Sequence, residues 1–325
     1  MLDRTFMTRV LRNLLISRNH PFFAHFFVTE RCNLRCRYCE VYKNPTPELD
    51  EEQCKRIIDR LAQMKIAVVS FTGGEPLLRK DICSLIDYAK RSDMLVKISS
   101  NGTLPLERYK ELLETGVDSI NISMDGMSGG SARPYSKMDG RILSTIDYMQ
   151  ASRGKKQLFV SALYYNGNGR SIKTMVEHMG QAYPGLEIFV QPVVGGSDGS
   201  FRSRAYGDVD IRLLRELEAY PNVTNPRYFN DHCEEYFASG RNYPWGCKAG
   251  RLFFDIKPDG AFWLCQDMPT SLNILDPDFM GRWKSHDASS STSSCRGCTY
   301  SCYVVTQRSF ELRNALTWYH YSKRL

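Results

Sequence analysis

Residues 22–39 read FFAHFFVTERCNLRCRYC, an apolar run of β-type residues followed by three cysteines. The run at 22–29 has the composition of a buried strand. Cys32, Cys36 and Cys39 follow it with the spacing Cys-x3-Cys-x2-Cys. Three thiolates on one short loop can hold three irons of a cubane cluster and leave the fourth iron open to a small molecule. On spacing alone, the alternative is a zinc loop whose fourth ligand lies elsewhere.

Five further apolar runs follow, and helical patterns separate them. The predicted strands are 22–29, 66–72, 94–99, 119–124, 157–165 and 186–193, and the predicted helices between them are about 50–64, 80–91, 105–115, 138–152 and 171–181. This alternation indicates parallel βα units, and right-handed crossovers curl such units into a full or partial barrel. We expect an α/β fold: a partial (β/α)6 TIM-type barrel with a small C-terminal cysteine-rich cluster-binding domain.

Polar or glycine-rich loops follow the second, third and fourth predicted strands. They are 72–76 (TGGEP), 99–102 (SSNG) and 123–126 (SMDG). Asn-Gly and Asp-Gly are common turn dipeptides, so each loop alone is weak evidence. In a parallel barrel, however, the carboxyl ends of the strands share one face. The cysteine loop and these three loops are therefore expected to converge on one site.

With these loops in view, residues 22–193 resemble the radical S-adenosylmethionine (SAM) superfamily. The resemblance rests on the CxxxCxxC loop, with Tyr38 before its third cysteine, and on the GGEP segment. It implies a 4Fe–4S cluster on Cys32, Cys36 and Cys39, and SAM bound to the open iron through its amino and carboxylate groups. It also implies reductive cleavage of SAM to a 5′-deoxyadenosyl radical, chemistry that belongs to the cofactor while the protein positions and shields it.

The resemblance also implies roles for further side chains around SAM. Gly73, Gly74 and Glu75 would take the amino group of methionine. Ser99, Asn101 and Ser123 would reach the ribose hydroxyls and the carboxylate. Tyr38 and the sixth strand around Val190 would flank the adenine.

A second group of cysteines lies near the C-terminus. Its pattern is Cys247-x12-Gly260-x4-Cys265, followed by Cys295-x2-Cys298-x3-Cys302. A closed site needs four thiolates, and spacing alone leaves a structural zinc ribbon and an iron–sulfur cluster equally open. The pattern looks like the SPASM/twitch module that many radical SAM enzymes carry. This resemblance favours one auxiliary 4Fe–4S cluster on Cys247, Cys265, Cys295 and Cys298, with Cys302 as an alternative ligand.

Other candidate groups have plainer interpretations. Cys54 and Cys83 lie beside apolar stripes of predicted helices, which is typical of buried thiols. Cys233 is a weak further candidate for the auxiliary cluster. Asp267, two residues after Cys265, is a candidate catalytic base by analogy with relatives, and a surface aspartate at a turn is the alternative. His25 is expected to face the barrel interior.

Composition limits the function. Lys and Arg number 43 against 36 Asp and Glu, and this net charge of +7 is too small to indicate a nucleic-acid partner. The arginines at positions 4, 9, 12 and 18 interrupt the N-terminal apolar residues, which excludes a secretory signal peptide. No run of 18 apolar residues exists, and clustered thiols without an export signal predict a cytoplasmic protein.

The expected organisation has five parts. They are an N-terminal amphipathic helix (1–19), a radical SAM core domain (20–195), a connecting segment (196–245), a SPASM/twitch-like auxiliary cluster domain (246–303) and a C-terminal helix (304–325). We expect the terminal helices to cap the barrel or the cluster domain. The alternative is peripheral membrane contact, because their arginine-flanked apolar and aromatic faces suit a headgroup layer.

The predicted function is that of a radical SAM enzyme of oxidoreductase or transferase type. It would abstract a hydrogen atom from a small molecule or lipid, leading to oxidation or bond formation. The alternative substrate is a ribosomally made peptide, although 21 residues before the first strand are few for a leader-binding domain. The expected partner is an electron donor such as ferredoxin or flavodoxin. The non-enzymatic alternative, an iron–sulfur or zinc module, would not need the GGEP, SSNG and SMDG loops.

Overall fold

The computed structural model describes residues 4–15, 20–36, 38–43, 45–127, 140–165, 167–193, 209–311 and 314. The strands are β1 (Phe23–Thr29), β2 (Val68–Gly73), β3 (Leu95–Ser100), β4 (Ser119–Ser123), β5 (Gln157–Tyr164), β6 (Glu187–Pro192), β7 (Phe253–Ile256), β8 (Ala261–Cys265) and β9 (Met268–Asn273). The helices are α1 (Arg4–Leu15), α2 (Glu51–Gln63), α3 (Ile82–Arg91), α4 (Leu106–Glu114), α5 (Gly140–Ser152), α6 (Gly169–Ala182), α7 (Arg212–Leu217), α8 (Arg227–Ala238), α9 (Phe279–Ser285), α10 (Ala288–Thr292) and α11 (Ser301–Ser309).

The nine strands of the described residues belong to one sheet, in the order β6-β5-β4-β3-β2-β1-β7-β8-β9. The first six are parallel, as the strand–helix alternation predicts. The sheet is a partial TIM-type barrel that stays open between β6 and the C-terminal strands. The expected α/β fold class is confirmed.

The C-terminal cysteine-rich segment continues this sheet. β7 pairs in parallel with β1, with Phe23 opposite Phe253, and β8 and β9 follow in antiparallel order. The segment after the barrel is therefore joined to it by backbone hydrogen bonds as well as by side-chain packing. The division at residue 246 does not interrupt the sheet.

Local sequence explains the elements. Helix α2 begins with a capping box, in which the Asp50 carboxylate accepts from the Gln53 amide and the Gln53 side chain accepts in return. Its apolar stripe, which includes Ile57, Ile58 and Leu61, is fully buried against the sheet. In β3 and β5 buried and half-buried residues alternate. The buried side chains pack under the helices, and the half-buried ones face the barrel interior.

Helix α1 lies against the amino-terminal ends of two strands. The Arg9 guanidinium donates to the carbonyl of Ile66, 2.5 Å away, and to that of Asp93, 2.9 Å away. Val10 is buried, whereas Leu11 and Leu15 are 47% and 76% exposed. Among the described residues, no helix is both long and apolar enough to span a membrane. The predicted C-terminal helix, 304–325, coincides with α11 as far as Ser309, and its residues 312, 313 and 315–325 lie outside the described residues.

Helix α11 covers the open side of the barrel. The Ser301 amide donates to the Gln191 side chain on β6, at 3.2 Å. The Tyr303 hydroxyl donates to both carboxylate oxygens of Asp255 on β7, at 2.8 and 2.7 Å. Helix α11 thus bridges the two sides of the opening, and one of its faces forms a wall of the interior cavity.

Candidate active site

The first cysteine group lies on the loop that leaves the carboxyl end of β1. The Cys39 amide donates to the Cys36 carbonyl at 3.0 Å, which turns the loop back on itself. The Cys32 sulfur accepts from the Leu34 amide at 3.4 Å and from the Asn101 side-chain amide at 3.8 Å. N–H groups directed at a cysteine sulfur stabilise thiolate ligands and tune cluster potentials.

Gly73 and Gly74 bring the loop after β2 against the loop after β1. The Gly74 amide donates to the Thr29 carbonyl at 2.8 Å, and the Glu75 backbone amide donates to the Arg31 carbonyl at the same distance. A Cβ atom at Gly73, where φ is +137°, would stand 1.9 Å from the Thr29 carbonyl oxygen. At Gly74 it would stand 2.1 Å from the Arg31 carbonyl oxygen. Only glycine permits this approach of backbone to backbone, one residue before Cys32.

The Glu75 carboxylate joins the loops after β2 and β3. It is fully buried and accepts from the Asn101 amide at 2.7 Å and from the Leu77 amide at 3.2 Å. The Asn101 side chain then donates to Asn33 in the cysteine loop, at 2.8 Å. Three loops that are distant in sequence therefore form one hydrogen-bonded unit around Cys32.

Tyr38 connects the cysteine loop to the loop after β4. Its hydroxyl donates to the Asp125 carboxylate, and Asp125 also accepts from the Leu163 amide at 3.0 Å. Burial raises the pKa of Tyr38 well above its ordinary value, and the Asp125 carboxylate adds to this. The Tyr38 ring stands 5.7 Å from the Tyr165 ring, centre to centre. The four loops singled out in the sequence thus meet at one edge of the sheet.

A cavity of about 300 Å³ occupies the barrel interior below these loops. Its lining includes Lys97 and Ser99 of β3, Asn121 of β4, and Cys302 of α11. The Ser99 hydroxyl accepts from the Asn121 side chain at 3.3 Å. We name this space the barrel cavity.

Two other residues predicted to contact SAM, Ser123 and Val190, lie on opposite faces of the sheet: Ser123 on the inner face and Val190 on the outer face. Ser123 is half-buried on the same face of β4 as Asn121, opposite Ser161 of β5. Val190 is fully buried on the face of β6 opposite to Phe189, which lines the barrel cavity. Its backbone exchanges hydrogen bonds with the side chain of Asn225, at 2.9 and 2.6 Å. The adenine contact assigned to this region stays a prediction.

The second cysteine group surrounds a different, smaller cavity. Cys247, Cys265, Cys295 and Cys298 line it together with Asp267. Burial raises the pKa of the Cys247 thiol to about 12 and that of Cys298 well above its usual range. Cys302 is not part of this lining and faces the barrel cavity instead. We name this space the cysteine cavity.

The remaining candidate residues lie outside the cysteine loop, and each has identifiable neighbours. Asp267 accepts from the Tyr300 hydroxyl at 3.2 Å and lines the cysteine cavity, not the barrel cavity. Cys54 and Cys233 are buried in the hydrophobic core, and Cys83 packs against it. His25 faces the barrel interior as expected, and its Nδ1 lies 3.1 Å from the Asp255 carboxylate.

Both cysteine groups offer the donor set that an iron–sulfur cluster needs. The first presents three sulfur donors from one short loop, and the second presents four that line one small cavity. Backbone amides point at Cys32 and at Cys295, the latter from Gly297 at 3.4 Å. In the part of the chain that the structure describes, no three His, Cys, Asp or Glu side chains are grouped to hold a single metal ion. The residues present fit a three-thiolate cluster at the barrel mouth and a four-thiolate cluster in the cysteine cavity.

A family model described as the radical SAM superfamily matches residues 26–182. These residues form a radical SAM domain. The match covers β1 to α6 and includes the cysteine loop with the three loops that surround it. Members of this superfamily use a 4Fe–4S cluster together with SAM, and the geometry of the cysteine loop agrees with that use.

Curated relatives of the radical SAM domain differ in what they do. The chain is 40% identical over 104 residues to the Fe-coproporphyrin III synthase of Methanosarcina barkeri, which corresponds to 31% of this chain and 26% of that protein. It is 29% identical over 211 residues to a "Probable GTP 3′,8-cyclase" of Methanopyrus kandleri, or 62% of this chain and 66% of that protein. The chain therefore spans between about a quarter and two thirds of the length of these relatives.

Solved structures match most of the chain. SuiB of Streptococcus suis, bound to the precursor peptide SuiA, matches with a TM-score of 0.68 over 88% of this chain and 69% of that chain, at 16% identity. The protein anSMEcpe, with bound AdoMet and a peptide, matches with a TM-score of 0.61 over 91% and 97%, at 15% identity. At this identity the likeness shows the shared fold alone.

Sequence reasoning missed the charged groups of the barrel cavity. Lys97 occupies an inward position of β3, two residues before Ser99, and Asp255 of β7 stands behind His25. The period of two along β3 could have placed Lys97 on the same face as Ser99. Nothing local in the sequence relates His25 to Asp255, since 230 residues separate them.

Proposed function

We propose that this chain is a radical SAM enzyme that abstracts a hydrogen atom from a small substrate bound in the barrel cavity. Cys32, Cys36 and Cys39 hold a 4Fe–4S cluster whose open iron binds SAM. When reduced by an external electron donor, this cluster would supply the electron for cleavage of SAM to methionine and a 5′-deoxyadenosyl radical. The radical SAM domain and the loops around Cys32 support this proposal.

One observation carries the proposal: the cysteine loop and the loops after β2, β3 and β4 form one hydrogen-bonded unit over the barrel cavity. Asn101 belongs to this unit through both its backbone and its side chain, since it bonds Glu75, Asn33 and the Cys32 sulfur. Gly74 and Glu75 contribute backbone and carboxylate groups at the same place. An electron carrier has no need of such a site or of a cavity beneath it.

We further propose that residues 246–303 form an auxiliary module with a second 4Fe–4S cluster. Its ligands are Cys247, Cys265, Cys295 and Cys298, because these four thiols line one cavity. A site closed by four thiolates has no open iron, so its role is to take or give electrons during turnover. Asp267 lies at this cavity, where its carboxylate accepts a hydrogen bond from the Tyr300 hydroxyl.

The size of the barrel cavity favours a small molecule over a folded partner. About 300 Å³ is the lower end of the range for small-molecule sites. Its aromatic and serine side chains offer both apolar and hydrogen-bonding contacts. A peptide could present a single side chain to the same space, and this is the alternative for the substrate.

The test is iron and sulfide analysis of anaerobically reconstituted protein, combined with an assay for 5′-deoxyadenosine. Replacing Cys32, Cys36 and Cys39 together by Ala should lower the iron content by about four per chain and abolish reductive SAM cleavage. Cys83→Ala is the matched control, because this thiol packs against the core away from both cavities. Normal 5′-deoxyadenosine formation by the triple variant would refute the proposal.

A further inference from the structure

The charges of the barrel cavity do not balance. Four titratable groups from the described ranges line it: His25 of β1, Lys97 of β3, Asp118 just before β4 and Cys302 of α11. The Asp118 carboxylate is already paired with Lys90, at 2.6 Å, and accepts from the Val96 amide. The Asp118 carboxylate is therefore bonded to groups of the cavity wall and does not balance the charge of a residue or ligand inside the cavity.

His25 also has its partner. Its Nδ1 lies 3.1 Å from the buried Asp255 carboxylate, which Tyr303 holds from the other side. Burial disfavours the imidazolium, but the Cys302 thiol and Asp255 together raise the pKa of His25 to about 10. The positive charge of His25 is thus matched by Asp255.

Lys97 is different. Among the described residues, no carboxylate lies within ion-pair distance of its ammonium group, whose closest described interaction is with the Phe159 ring, 5.2 Å from the ring centre. Burial lowers the pKa of Lys97 to about 8, and Cys302 and Glu187 oppose this only through longer-range charge. At neutral pH this residue is a cation in a cavity without a counter-ion of its own.

A neighbouring polar atom also lacks a partner. The amide of Asn121 uses one end to bond Ser99, while its other end, Oδ1, is buried without a hydrogen bond. Asn121 on β4 lies directly opposite Ser99 on the neighbouring strand β3, and both residues line the barrel cavity. A buried polar atom left unpaired costs free energy, so a ligand with a hydroxyl or amine group would gain by meeting it.

We infer that the substrate carries an anionic group, a carboxylate or phosphate, that pairs with Lys97, and a hydrogen-bonding group beside it that meets Asn121. This inference rests on the proposed function and adds the substrate class to it. The anion would sit one level deeper in the barrel than Ser99, since Lys97 precedes that residue by two positions, or about 6.6 Å along the strand. The site residues predicted for SAM lie at and beyond the level of Ser99.

The test uses the reconstituted full chain with inorganic phosphate and malonate as probes. Wild-type protein should bind one or both saturably at pH 7, and Lys97→Met should weaken this binding about 10- to 100-fold, because an ionic hydrogen bond is lost. Lys97→Arg should retain binding. Lys80→Met is the control, since Lys80 is exposed at the surface.

The dependence on pH separates this site from a general surface effect. Since the pKa of Lys97 is lowered to about 8, its charge is present at pH 7 and is lost above pH 8. Anion binding by the wild type should fall as the pH rises from 7 to 9, whereas Lys97→Arg should bind equally at both values. Equal binding by the wild type at both pH values would contradict the inference.

SAM itself carries a carboxylate, so a second arm compares SAM with decarboxylated SAM. If Lys97 held the SAM carboxylate, Lys97→Met would weaken SAM but not its decarboxylated analogue, and the inference would be overturned. We expect SAM and decarboxylated SAM to bind the variant with equally small changes in affinity, and 5′-deoxyadenosine formation is assayed in the wild type alongside. That assay also separates the two claims, since a wild type without any SAM cleavage refutes the proposed function directly.

A measurement on the wild type alone completes the test. Lys97 acylation by an amine-reactive reagent, followed by mass spectrometry, should be slowed by phosphate or malonate, whereas acylation of Lys80 should not change. This readout does not require the variant to fold. Equal labelling of Lys97 with and without both anions would overturn the inference.

Discussion

At Gly74 the backbone of one loop lies directly against the backbone that carries Cys32. The family resemblance assigns Gly74 to the amino group of the methionine part of SAM. The structure shows a more direct requirement for glycine at this position, since a Cβ atom there would stand 2.1 Å from the Arg31 carbonyl oxygen. Glu75 is similar, because its buried carboxylate already accepts from two backbone amides. Variants at these residues therefore change the cysteine loop as well as any SAM contact.

We predict that Gly74→Ala lowers both stability and iron content. The added methyl group must displace the Arg31 backbone, and overpacking of this kind costs about 1–3 kcal/mol. Urea unfolding of the apoprotein and iron analysis after reconstitution measure the two effects. Gly281→Ala on α9 is the control: no atom lies within 4 Å of its added Cβ. It should gain about 0.5–1 kcal/mol from helix propensity. Full iron content in Gly74→Ala would contradict the prediction.

Helix α11 is the element that turns an open sheet into an enclosed cavity. It contacts β6 through Gln191 and β7 through Asp255, and Phe310 just beyond it packs edge-on against Phe22, with ring centres 4.9 Å apart. Its inner face brings Cys302 to the barrel cavity. The same helix lies beside the cysteine cavity through Tyr303, so one element borders both sites.

We predict that Tyr303→Phe destabilises the protein by about 1.5–3 kcal/mol, because a buried carboxylate loses a charge-assisted hydrogen bond. Asp255 has no exposure to water, so water cannot replace the lost donor. Tyr88→Phe removes a similar bond, to Asp59 at 2.9 Å, on the exposed surface. That control should change the free energy of unfolding by about 0.5 kcal/mol or less. Equal effects in the two variants would show that Tyr303 does not hold α11 in place.

In the whole molecule, the eight cysteines of the two sequence groups divide among three environments, whereas Cys54, Cys83 and Cys233 belong to or pack against the hydrophobic core. Of the eight, three lie at the barrel mouth, four surround the cysteine cavity, and Cys302 faces the barrel cavity. The sequence allows Cys302 as an alternative cluster ligand, since it follows Cys298 by four residues. Because α11 begins at Ser301, the helix directs Cys302 away from the other four thiols.

We predict that Cys302→Ala keeps about eight irons per chain after anaerobic reconstitution, whereas Cys265→Ala retains fewer because a cluster loses one of its thiolates. Iron analysis and the visible absorbance of the clusters measure this. The core-triad variant should separately retain about four irons. If Cys302→Ala lost as much iron as Cys265→Ala, the division of cysteines between the two cavities would be wrong.

Much of the molecule follows from local pattern. The period of two in the strands and the helical stripes between them predict the six parallel strands and the five helices between them to within about two residues, because each element buries its own apolar face. The loops at the strand ends could be placed on one face, because parallel strands end on the same side. The cysteine spacing likewise predicted which thiols share the barrel-mouth loop.

Contacts between segments that are distant in sequence could not be predicted from local sequence pattern. β7 pairs with β1 although some 230 residues separate Phe23 from Phe253, and α11 covers the opening by meeting both sides of the sheet. These contacts place Cys302 with Lys97 and set Asp255 behind His25. Secondary structure arises from neighbours along the chain, whereas the charge balance of a cavity depends on which surfaces pack together. For that reason Lys97 emerges as an unpaired cation only when the barrel is assembled.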